Sequence, residues 1–127
     1  MRGLATSSAC GRATTAPEVD LDTAAYLAYG TPTTAVLTSA KSDVYLSHPP
    51  DGAGPHPFVV TLRTRHPEGV KLQAGNATPD WGLQWPKWRT TTTGGGIQLS
   101  QEMMRGLLVL VVSGDAGIHY SIDATWK

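Results

Sequence analysis

From Ile118 onward apolar and polar residues alternate without a break. Ile118, Tyr120, Ile122, Ala124 and Trp126 take one side, and His119, Ser121, Asp123, Thr125 and Lys127 the other. A period of two marks an extended strand with one face packed inward and the other turned to solvent or a neighbour. Just upstream, residues 107–112 read Leu-Leu-Val-Leu-Val-Val. That run is apolar on both sides, as expected of a central strand covered on both faces. Ser113, Gly114, Asp115, Ala116 and Gly117 separate the two runs with turn chemistry. Two neighbouring runs of this kind commit the chain to layered β structure.

The sequence upstream follows the same logic. Phe58, Val60, Leu62 and Thr64 alternate with Val59, Thr61, Arg63 and Arg65, and a second alternation follows over residues 70–74. Between them His66-Pro67-Glu68-Gly69 has the residues of a type I turn, so the pair predicts a β-hairpin. Residues 35–39 and 44–47 are shorter candidate strands, followed by a loop over 48–57 whose four prolines forbid continuous pairing. Trp81, Leu83 and Trp85 share one side of another extended stretch, residues 90–93 suit a strand edge, and residues 97–99 follow a Gly triplet. Ser100 ahead of residues 101–105 predicts one helical turn. Seven or so strands with turn signals at intervals of about ten residues predict an all-β fold, an antiparallel β-sandwich or jelly-roll-like domain.

The opening of the chain differs. Residues 1–20 are rich in Ala, Ser, Thr and Gly without hydrophobic period, so they bury too little to order alone. Asp20 caps a short predicted helix near 21–29, which Gly30 stops. The predicted organisation is therefore an N-terminal arm over 1–34 and a sandwich over 35–127. With 127 residues the chain is sized for one domain. Cys10 is the one cysteine, so no intrachain disulfide is available. No apolar run reaches the ~7–15 residues of a signal peptide or the ~20 of a spanning helix, which predicts a soluble chain without a membrane partner. Ten Lys and Arg balance ten Asp and Glu, and that neutrality argues against a nucleic-acid partner.

Few residues read as chemistry. His119, Ser121 and Asp123 have the residue types of a nucleophilic relay. Along a strand they stand nearly 7 Å apart, against the roughly 2.6–3.2 Å each link needs, so they read as an outer polar face. His48, His56 and His66 lie in proline-rich turns without the tight spacing of metal ligands. Asn76-Ala77-Thr78 is a glycosylation triplet by chance, and the Gly triplet at 94–96 lacks the Lys-Ser/Thr context of a phosphate loop. The expectation is a chain with no catalytic residue, no metal and no cofactor. Trp81, Trp85 and Trp88, with Lys87 and Arg89 beside the last, are either core and interface packing or a stacking platform for sugar rings.

A short chain with an Ala/Thr/Pro-rich arm and a sandwich body closing on an alternating strand resembles the small virion proteins of tailed bacteriophages, above all the capsid decoration (cement) proteins. That resemblance implies a homo-oligomer, a trimer by preference, seated on the major capsid protein of a virion assembled in the host cytoplasm. Arm residues Leu4, Leu21, Tyr26, Leu27 and Tyr29 would then anchor on neighbouring subunits. Trp88 and the outer face of the last strand would make contacts within the oligomer. A head–tail or tail subunit shares the same look. A small carbohydrate-binding sandwich using Trp81, Trp85 and Trp88 is the alternative of a different class.

Overall fold

The computed structural model describes residues 24–27, 31–38, 42–49, 55–79, 82–103 and 106–126. Along the chain these form β1 (Ala25–Tyr26), β2 (Thr33–Val36), β3 (Asp43–Ser47), β4 (His56–Thr64), β5 (Val70–Thr78), β6 (Gly82–Gln84), β7 (Thr91–Thr93), β8 (Gly96–Met103), β9 (Leu107–Gly114) and β10 (His119–Trp126). Two five-stranded sheets result, in the orders β1-β3-β9-β5-β6 and β2-β10-β4-β8-β7. Every pairing is antiparallel except the short one between β1 and β3. The fold is an all-β antiparallel sandwich.

Alternation decides what fills the space between the layers. The first sheet supplies Tyr45, Leu72, Leu108, Leu110 and Val112, and the second supplies Phe58, Val60, Leu62, Leu99, Tyr120, Ile122 and Ala124. The central strand β9 is flanked by β3 and β5 over nearly its whole length. Its Leu108, Leu110 and Val112 face the sheet–sheet core, while Val109 and Val111 lie on the opposite side and are also fully buried. The doubly apolar run thus occupies the position its composition predicts. On that outer side Trp85 lies against Gly75, where a Cβ built on the glycine would stand 2.8 Å from the indole ring.

Three sequence expectations differ from the structure. β4 and β5 do not form a hairpin, because they lie in opposite sheets. Pro67–Gly69 makes a single 3₁₀ turn that carries the chain across the layers. A sheet separation of about 10 Å is readily spanned by such a connection but not by a tight two-residue reversal. The helical turn expected after Ser100 is instead the end of β8, where the ladder with β4 continues to His56↔Met103 and Met103 enters the core. Met104 and Arg105 lie outside the described residues.

The third difference concerns the arm. Ala25 and Tyr26 are extended and pair in parallel with Tyr45 and Leu46, and the Leu27 amide donates to the Leu46 carbonyl at 2.8 Å. The helix near 21–29 is therefore not formed over 24–27; about eight residues make a marginal helix, and a sheet edge offers the same backbone groups better-supported partners. The boundary at residue 34 falls inside β2, which pairs with β10. The described part of the predicted arm belongs to the sandwich.

One close approach explains a residue the strand pattern alone would not require. Gly114 ends β9 opposite Val70 with φ at +154°, and a Cβ there would run into the Gly69 carbonyl oxygen, which accepts from the Asp115 amide at 3.0 Å. Gly114→Ala is expected to cost about 1–3 kcal/mol, read as a lowered denaturation midpoint at unchanged slope. A midpoint equal to that of the parent chain would contradict this account of the glycine.

Candidate functional site

The outer face of the second sheet is built from alternate residues of its three longest strands. β10 contributes His119, Ser121, Asp123 and Thr125, β4 contributes Val59, Thr61 and Arg63, and β8 contributes Gln98 and Ser100. Register places Ser121 beside Arg63, Asp123 beside Thr61, and Thr61 beside Gln98. The inward neighbours of these residues form the core, so the face is presented by a rigid support.

His119, Ser121 and Asp123 share that face but do not form a relay. Asp123 faces Arg63 across the strands, with Nη1 of the arginine 3.4 Å from Oδ2. The His119 carbonyl accepts from Thr64 Oγ1 at 2.8 Å, and the same hydroxyl accepts weakly from the His66 amide at 3.3 Å. Thr64 is buried, so this latch fixes the end of β4 against the start of β10.

A groove of about 900 Å³ opens at that end of the face. Val36 and Thr34 of β2 stand on one side, Arg63, Arg65 and His66 on the other, with His119 and Ser121 between them. Arg63 is 66% exposed at its side chain, and Val36, at 42%, is one of the few large apolar residues left open among the described residues. His66 lies 3.6 Å from Glu68 at the rim. No Asp or Glu is among the residues lining the groove.

Beneath the groove, Tyr120 turns its ring inward and joins the sheets. Its hydroxyl donates to Asp43 Oδ2 at 2.5 Å, and the Tyr45 hydroxyl lies 2.6 Å away. Since the single Tyr120 proton goes to Asp43, Tyr45 is the donor to Tyr120. Burial pushes both phenols up from the usual tyrosine range, and for Tyr120 the hydrogen bond to Asp43 adds to the shift. Sequence reasoning missed this network. The signal for it was a tyrosine at an inward position of a strict alternation, where a buried hydroxyl demands a partner.

The other residues singled out in the sequence are spread over the molecule. Leu27 is 5% exposed and belongs to the chain's own core, so it is not available as an anchor for a neighbour; its place next to β3 buries it. Tyr26 does reach the surface, 62% exposed and stacked on His48 with ring centroids 5.1 Å apart. Leu4, Leu21, Tyr29 and Trp81 lie outside the described residues. Trp88 packs edge-on against Phe58 at 5.3 Å, on the core rather than on an open contact surface. Trp126 closes the same end, its indole N–H donating to Ser47 Oγ at 2.8 Å.

The histidines also diverge. His56 is buried against Trp126, His48 stacks on Tyr26, and His66 sits at the groove rim. Among the described residues no three His, Cys, Asp or Glu side chains converge in a way that could hold a metal ion.

No protein-family model and no curated protein matches the chain. Among solved structures it is similar to the pre-peptidase C-terminal domain of a collagenase from Bacillus anthracis, with a TM-score of 0.62 and 14% identity, over 88% of this chain and 100% of that one. At that identity the likeness is one of fold.

Proposed function

We propose that the chain is a non-catalytic β-sandwich module that binds a protein partner through the outer face of its second sheet, at the groove between Val36 and the Arg63–Arg65 side. The observation that carries this reading is the groove itself: a rigid, strand-built floor with exposed cationic and apolar side chains on opposite walls. Such a mixture suits contact with another macromolecule. The extended spacing of His119, Ser121 and Asp123 supplies no relay for chemistry at the same place. A sandwich of this fold is a domain of a collagenase in Bacillus anthracis, which supports reading the present one as a module that serves a larger protein or assembly.

The reading as a capsid decoration subunit, or as a head–tail or tail subunit, has one observation in its favour, the exposed Tyr26 on His48. The same strap needed Leu27, which the core takes. A sugar platform is less favoured, because Trp85 lies on Gly75 and Trp88 on Phe58.

The face is tested with a photo-crosslinking residue placed at His119, and a control at Lys71 on the outer side of the first sheet. In a lysate of the native source, the His119 probe is expected to give one dominant adduct that the Lys71 probe does not. Equal yields from both positions, or no adduct from either, would remove this reading.

A further inference from the structure

Independently of the groove reading, we infer that β2 pairs edge to edge with β2 of a second copy of this chain, antiparallel about a twofold axis at Ala35. Among the described residues the first sheet ends in β1 and β6, and the second in β2 and β7. β2 is the longest of these edge strands, with four residues against two or three. It reads Thr-Thr-Ala-Val in unbroken register, without the charge, internal proline or bulge that keeps exposed edges apart. Of the two large apolar residues left open among the described residues, Tyr26 is stacked on His48, and Val36 lies on this edge.

Hydrogen-bond phase fixes which groups the edge offers. The Leu37 amide donates to the Ile118 carbonyl at 2.9 Å, so Leu37 turns its backbone toward β10. Alternation turns Ala35, opposite Tyr120, and Thr33, opposite Ile122, the same way. Thr34 and Val36 therefore point their amides and carbonyls outward, away from β10. Pro32, next in that phase, has no N–H to offer. The open ladder is thus Thr34 and Val36, placed symmetrically about Ala35, the arrangement a strand needs to pair with itself. In that register Thr34 of each copy exchanges both backbone bonds with Val36 of the other.

The side chains agree with the register. Thr34 and Val36 are both exposed on the outer side, so each Val36 is covered by the Thr34 of the other copy, a β-branched pair. On the inner side Ala35 meets its own copy at a non-hydrogen-bonded position, where Cα atoms approach to about 4.5 Å and a small side chain is needed. Charge does not oppose the pairing. Residues 31–38 carry no charged side chain, and Arg63 lies on β4, two strands back from β2. Its two copies would stand about 24 Å apart, well beyond the ~8 Å screening length. Any extended strand would satisfy the backbone groups; the match of Thr34 to Val36 about a small central residue selects a second copy.

The test is sedimentation of the whole chain from about 5 to about 500 μM, with amide exchange read on isotope-labelled protein. The edge is short, so half-dimerisation is expected at about 100 μM. The Thr34 and Val36 amides are expected to slow as concentration rises, while the Ala35 amide, bonded within the sheet, keeps its rate. T34K/V36K sets lysines opposite one another across the axis and is expected to weaken the dimer at least about tenfold at unchanged melting temperature. T34E/V36K sets glutamate opposite lysine in the same register and is expected to restore it. A dimer that ignores T34K/V36K, or that T34E/V36K fails to restore, overturns the proposal. A chain monomeric at every concentration also overturns it, and if a Thr/Val-rich strand peptide then slows the same two amides, the edge belongs to a different protein. Should a variant fail to fold, the two amides of the parent chain decide: rates independent of concentration overturn the pairing.

Discussion

Leu110→Ala is expected to cost about 3–5 kcal/mol and to lower the melting temperature by about 10–20 °C. Leu110 sits at the middle of β9, opposite Tyr45 on one neighbour and Ala74 on the other, and has no exposed surface. Truncation leaves a cavity in the sheet–sheet core that flanking strands on both sides prevent from closing. The companion variant is Val111→Ala. In a plain two-layer sandwich its side chain would face solvent and the change would cost less than about 0.5 kcal/mol. Here Val111 is fully buried on the side away from the sheet–sheet core, so a loss of about 1–3 kcal/mol is expected. Chemical denaturation of both variants reads the two faces separately. A neutral Val111→Ala would show that β9 is covered on one side only.

Tyr120→Phe is the second change with a large expected effect, about 2–4 kcal/mol. The substitution keeps the ring and removes one oxygen, but that oxygen both donates to Asp43 and accepts from Tyr45. The buried Tyr45 hydroxyl and the half-buried Asp43 carboxylate lose their bond together. Tyr45→Phe leaves the Tyr120–Asp43 bond intact and is expected to cost only about 1 kcal/mol. The same pair sets a pH dependence. Both folded phenols titrate above the ordinary tyrosine value of 10.0, mainly because burial disfavours the anion. Above that pH the unfolded chain releases protons that the folded chain retains. Stability from this source is therefore complete below pH 10 and declines as pH rises. The limiting slope is about 1.4 kcal/mol per pH unit for each phenol held neutral. Denaturation midpoints between pH 9 and 11 should show this decline in the parent chain and a smaller decline in Tyr120→Phe. A parent midpoint that stays level across that range would contradict the network.

The strands were legible where one strong periodicity coincided with one environment. β10 has an uninterrupted alternation because its inner side meets the core and its outer side does not. β9 is apolar over residues 107–112 because both of its sides are covered there. The β4–β5 connection was misread for a reason of range. Two alternating runs joined by Pro and Gly satisfy the local rules of a hairpin, and nothing within those fifteen or so residues says that each strand has longer partners elsewhere. β4 pairs with β8 and β10, and β5 with β9, all set by residues far along the chain, while the short β6 adds to β5 from close by. Ala25 and Tyr26 failed in the same way, since their composition permits a helix turn and the edge of β3 selects a strand.

The candidate site was visible only as a polar side of β10. Its groove needs β2 on one flank and the end of β4 on the other, and these are separated by some thirty residues of sequence. The Tyr45–Tyr120–Asp43 hydrogen-bond chain likewise joins residues 75 and 77 positions apart. The amino-acid pattern by itself determined that this protein is layered β structure, which of its strands are covered on one side or two, and that its final strand turns a polar side outward. Hydrophobic periodicity is a local property, and burial acts on each strand separately. Which strands lie together, where the cationic and apolar walls meet, and which phenol finds which carboxylate were decided only in three dimensions, because backbone pairing is chemically the same for every strand and only the summed packing of the whole sandwich distinguishes one partner from another.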